Sequence, residues 1–102
     1  MTDIMQFFAS NYVKADDLTE GKRTVTIDAF FVEEIEGKEK PAISFAPDSN
    51  TQPLILNKTN ASSISSLYGR NPDDWIGKQV ELYRDIANLN GRTVPCVRVR
   101  MP

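Results

Sequence analysis

The chain has 102 residues, of which 40% are apolar and 25% charged, with twelve Lys/Arg against fourteen Asp/Glu. That length fills one domain with one modest core, and a net charge of −2 argues against a protein that coats DNA by charge alone. Histidine is absent, which removes Ser/His/Asp and Cys/His nucleophile activation, histidine-ligated zinc and any imidazole base. The adjacent carboxylates Asp16/Asp17, Glu33/Glu34 and Asp73/Asp74 come without an EF-hand or a glycine-rich phosphate loop. The expectation is therefore a binding domain and not an enzyme, with no cofactor and no metal. No run approaches the roughly 18 apolar residues that span a bilayer, and the first residues lack the basic start and cleavage site of a signal peptide, so a cytoplasmic protein with no membrane partner is expected. The single cysteine, Cys96, falls inside a strand pattern and reads as a structural thiol.

Taken in chain order, residues 1–21 read as an N-terminal arm or short helix followed by a polar turn, and residues 22–102 as the main body of the domain. Ile4, Phe7, Phe8 and Tyr12 fall near helical spacing; the arm either covers an open end of the core or makes a dimer contact, and the oligomeric state stays open. A long strand is predicted over Lys22 to Ile35. Its Val25, Ile27, Ala29, Phe31 and Ile35 share one face, and Phe30 and Val32 break the alternation, which predicts a bulge near Ala29 to Phe31 in a strand that bends to serve both sheets of a barrel. Glu36 and Gly37 form the turn into a second strand with Ile43 and Phe45 inward. After a loop rich in Pro, Asp, Ser and Asn comes a short strand at Leu54 to Leu56.

A helix follows from Asn57 to Tyr68. Asn57 or Thr59 caps it, Ala61, Ile64, Leu67 and Tyr68 form its apolar stripe, and Gly69 stops it. With four serines elsewhere on its surface this helix is marginal alone, so it is expected to plug the bottom of a barrel, with Trp75 packed beside it. The last two strands can be registered from sequence. A type I′ turn at Asn90-Gly91 sets Leu82 against Val99 and Val80 against Met101 on the inner face, with Glu81 against Arg100 and Tyr83 against Arg98 on the outer one. Arg84 then falls inward opposite Val97 and must sit at the rim. The order strand, strand, strand, helix, strand, strand is that of an OB-fold, a five-stranded Greek-key barrel; the expected class is all-β with one helix.

Charge is uneven along the chain. Residues 1 to 55 hold five Lys/Arg and ten Asp/Glu, whereas residues 56 to 102 hold seven and four. In an OB-fold the loop between the last two strands forms one jaw of a cleft and the first hairpin loop the other. The candidate nucleic-acid contacts are accordingly Arg84, Arg92 and Arg98 on one jaw and Lys38 and Lys40 on the other for phosphates, with Tyr83 and Phe30 stacking bases. Weak binding of single-stranded DNA is the first expectation. A module docking on a protein partner through the same face or the arm is the alternative.

The stretches Leu56, Asn57, Lys58, Thr59, Asn60, Ala61 and Trp75 to Tyr83 resemble a small, mostly uncharacterised family of bacteriophage and prophage proteins patterned L-N-K-T-N-A then W-x-G-K-x-V-x-L-Y. Tyr12 to Leu18 and Val97 to Val99 are similar too. The resemblance implies a phage origin, a bacterial host cell and a compact OB-like barrel. It carries no site residues; a replication or recombination accessory role extends it by analogy of fold.

Overall fold

Alternation and turn chemistry set the strands. The structure, a computed structural model, describes residues 12–102; the predicted helix or arm at Ile4, Phe7 and Phe8 lies outside the described residues. Among the described residues five strands and one α-helix follow in the order β1 (Lys22–Ile35), β2 (Lys38–Phe45), β3 (Leu54–Ile55), α1 (Lys58–Tyr68), β4 (Gln79–Leu89) and β5 (Arg92–Arg100). All strand pairs are antiparallel, in one sheet of order β3-β2-β1-β4-β5. This is an all-β, OB-like fold with one helix.

β1 is the hinge of the sheet. Its first part, Lys22 to Thr26, pairs with β4, and the stretch from Ile27 onward pairs with β2. The register slips between Ile27 and Ala29, so the bulge lies at Asp28, just upstream of the predicted position. That one extra residue changes which side chains face inward. Val25 and Ile27 point into the core before it and Phe30 after it, opposite Ile43. Ala29, Phe31 and Ile35 are thereby sent to the other side, and the expectation that they share the face of Val25 and Ile27 is corrected. On that second face Ala42, paired with Phe31 and Ile55, is fully buried, and the Tyr12 hydroxyl donates to Glu33 at 2.8 Å.

The core draws on every strand: Val25, Ile27, Ile43, Phe45, Leu54, Val80, Leu82, Val97 and Val99 pack together, with Ile64 of α1 beneath them. Leu67, expected among them, is only half-buried. Val13 and Leu18 also belong to the core, so packing begins before β1. α1 starts and stops as its sequence dictates: the Asn57 side chain accepts the Asn60 N–H at 2.8 Å, and Gly69 turns the chain with φ of +101°. A 3-10 turn at Pro72–Trp75 then buries Trp75, whose indole N–H donates to the Gly69 carbonyl at 2.8 Å and whose ring meets Phe30 edge-on at 6.0 Å.

The β4–β5 ladder runs in the predicted register from Glu81–Arg100 to Leu89–Arg92, around a turn in which Asn90 and Gly91 both have positive φ. The pairing of Val80 with Met101 does not form. The ladder stops at Glu81–Arg100 and Met101 is exposed, while Val80 keeps its partner Val25 on β1. The two edge strands, β3 and β5, form no ladder with each other, and neighbouring segments hold their ends. Asn60, only 2% exposed, donates its amide to the Val97 carbonyl at 3.0 Å, and the Val13 N–H reaches the Pro53 carbonyl just before β3 at 2.8 Å.

Candidate nucleic-acid interface

The register of three strands places one row of side chains across the outer face of the sheet. Lys22 of β1 faces Tyr83 of β4, which faces Arg98 of β5. The next row is Thr24, Glu81 and Arg100. Paired residues in a ladder share a face, so cation, aromatic ring and cation stand side by side with no carboxylate in their row. Lys22 was not among the residues singled out from sequence. Its nearness to Tyr83 depends on β1 pairing with a strand some sixty positions later, and no local pattern carries that information; the order of strands in an OB-fold was the one signal that could have found it.

Within the rows the charges are not equal. Arg100 lies with its guanidinium carbon 4.2 Å from the Tyr83 ring centre and forms an ion pair with Glu81. It therefore holds one face of the ring, an arrangement worth about 0.5–1 kcal/mol when exposed, and is itself neutralised. Arg98 is half-buried, and its Nη1 is covered without a hydrogen-bond partner. Arg84 sits at the rim as expected, opposite Val97, 3.5 Å from Asp16. Arg92 closes the hairpin opposite Leu89 and is exposed.

The remaining candidates lie elsewhere. Lys38 and Lys40 are exposed on β2, across from Ile35 and Glu33, in a hairpin that leaves the opposite end of β1 from the one beside Tyr83. The structure brings together Tyr83 and Arg98, adds Lys22, and leaves the two lysines as a separate group. Phe30 leans into the edge of the core against Trp75, so its ring is engaged in packing.

Beyond Tyr83 the β4–β5 hairpin leaves the sheet. β1 ends its pairing with β4 at Lys22–Tyr83, and one further bond, from the Arg84 N–H to the Gly21 carbonyl at 2.8 Å, closes the junction. From there to the Asn90-Gly91 turn the two strands pair only with each other. Ile86 is 68% exposed and Leu89 60%.

Other features are accounted for by packing. A groove of about 470 Å³ between residues 13–17 and 50–52 contains Arg23, but this guanidinium is already held by Glu20 at 2.7 Å, by the Thr51 hydroxyl at 2.9 Å and by the Asp17 carbonyl at 3.3 Å. Its hydrogen bonds hold the Glu20 carboxyl below its ordinary pKa, and the bond to Glu33 holds the Tyr12 phenol above its own. Among the described residues no group of three or more His, Cys, Asp or Glu could hold a metal ion, and no helix is long and apolar enough to cross a membrane. No protein-family model, curated protein or solved structure matches the chain.

Proposed function

We propose that this chain is a phage-type OB-like domain that binds single-stranded DNA weakly, as an accessory to replication or recombination in the cytoplasm of a bacterial host. The observation that carries the reading is the row Lys22, Tyr83, Arg98 on the outer face of the sheet, with Arg92 at the tip of the same hairpin. Cations at this spacing attract phosphates, and tyrosine and guanidinium planes offer sequence-tolerant stacking surfaces worth about 1–3 kcal/mol per base. The resemblance in Leu56 to Ala61 and Trp75 to Tyr83 supports the phage origin. Fluorescence anisotropy with a short labelled single strand tests the binding. With roughly three phosphates neutralised by Lys22, Arg92 and Arg98, log affinity falls against log salt with a slope near −2, from about 0.7 per contact. Arg98→Ala flattens that slope by just under one unit, whereas Tyr83→Ala weakens binding and leaves the slope in place. Absence of binding at low salt and micromolar protein refutes the reading.

The second reading, a module that docks on a phage or host protein, draws on the exposed apolar side chains Val32 and Ile86 on the two hairpins. Salt-independent capture of a folded protein partner, with no affinity for oligonucleotides, would favour it.

A further inference from the structure

The projecting hairpin has two faces that differ in charge, and the ladder sorts its residues between them. On one side stand Arg84, Ile86 and Asn88, opposite Val97, Pro95 and Thr93; on the other stand Tyr83, Asp85, Ala87 and Leu89, opposite Arg98, Cys96, Val94 and Arg92. The first face offers a polyanion little, because its one cation, Arg84, is already beside Asp16 at 3.5 Å. The second continues directly from the row of Lys22, Tyr83 and Arg98 and ends at Arg92. Its one acid, Asp85, turns a carboxylate oxygen onto the Ile86 N–H at 2.8 Å. Between the two cationic ends lie Ala87 and Val94, half-buried, and the exposed Leu89. From Tyr83 to Leu89 the strand covers about 20 Å, at about 3.4 Å per residue.

We propose that this second face is a one-sided track for a few nucleotides, with phosphates held at its two ends by Lys22 with Arg98 and by Arg92, and with bases lying on Leu89 and Val94. The inference rests on the nucleic-acid reading and gives it a direction: the strand runs outward along the hairpin, not across to Lys38 and Lys40. Charge complementarity selects the occupant. A stretch of apolar side chains with a cation at each end suits a chain of flat bases on a charged backbone, and Tyr83, half-buried with one ring face taken by Arg100, serves the innermost base alone while the side chains further out take the rest.

The two exposed side chains provide the test, since Leu89 lies on the track and Ile86 on the opposite face at similar exposure. Anisotropy is measured for the wild type, Leu89→Ser, Ile86→Ser and Arg98→Ala with a labelled oligothymidine and with an abasic strand of the same length, beside light scattering and thermal melting. Leu89→Ser is expected to weaken oligothymidine binding about tenfold with an unchanged salt slope and to leave abasic binding as in the wild type. Ile86→Ser should alter neither, and both variants should melt with the wild type. If Leu89→Ser binds as the wild type does while Arg98→Ala still weakens binding, the track is wrong and the nucleic-acid reading survives. If Ile86→Ser loses as much as Leu89→Ser, the one-sidedness is wrong. Failure of the wild type to bind either strand overturns both readings, and a dimer dispersed by Leu89→Ser would put a second copy on that face instead.

Discussion

The β4–β5 hairpin is two structures joined at the Arg84–Val97 pair. In its inner half Val80, Leu82, Val97 and Val99 are buried against α1 and β1; in its outer half the same ladder continues, yet Ile86 and Leu89 stand in solvent. Hydrogen bonding between β4 and β5 does not distinguish the halves. What differs is whether anything lies beneath the strands, and the comparison teaches that the ladder sets geometry while burial sets stability, because a two-stranded ribbon is marginal in water without a packed face. The inner half anchors the domain. The outer half is left available to meet another molecule.

The largest test of that contrast is Leu82→Ala. Leu82 is fully buried, and truncation should cost about 2–5 kcal/mol through lost transfer energy and the cavity left behind, read as a drop in the urea midpoint. Gly91→Ala sharpens the comparison differently. Gly91 has φ of +80° with open space around it, so the penalty is conformational, about 1–2 kcal/mol, and it falls where no core resists local opening. Amide exchange should accelerate at Ala87 and Val94 while Leu82 keeps its protection; a uniform loss of protection would show that the hairpin unfolds only with the barrel. Asn57→Ala removes the cap of α1 and should cost about 1 kcal/mol, felt by the inner half alone. Ile86→Ala should stay within about 0.5 kcal/mol of the wild type; a larger loss would reveal a support for the ribbon.

The smallest effect is a pH dependence at the start of β1. Hydrogen bonds from Arg23 lower the Glu20 pKa, so the folded state favours the ionised carboxylate. That contribution is present above the ordinary carboxylate pKa and is lost as pH falls through the lowered folded value. Thermal midpoints of the wild type and Glu20→Gln should therefore differ at neutral pH and converge on acidification, by little, because the pair is exposed.

Much of the fold was legible because its signals are local. Asn57, Gly69 and the apolar stripe mark α1, and Asn90-Gly91 sets the last hairpin's register, because a two-residue turn admits one pairing and one pairing decides both faces. The bulge was legible as an interruption at Phe30 and Val32, but its position was not: a parity change can be written at any of several neighbouring residues, and only the opposing strand decides which one is left unpaired. Asn60 illustrates the same gap. In sequence it is a polar residue in the first turn of a helix, and only the approach of β5 makes it a buried bridge to the Val97 carbonyl.

The candidate site divides along the same line. Tyr83 and Arg98 could be paired from sequence because two residues of turn separate their strands, whereas Lys22 joins them through β1, and Lys38 and Lys40 part from them because their hairpin leaves the other end of that strand. The chain by itself determined its strand order, its helix and the two faces of its last hairpin, since propensity, capping and turn geometry act over a few residues. The tertiary structure alone decided that Arg100 occupies Tyr83, that Arg84 is neutralised by Asp16 and that Leu89 is left exposed, since these depend on which distant surfaces meet and which meet nothing.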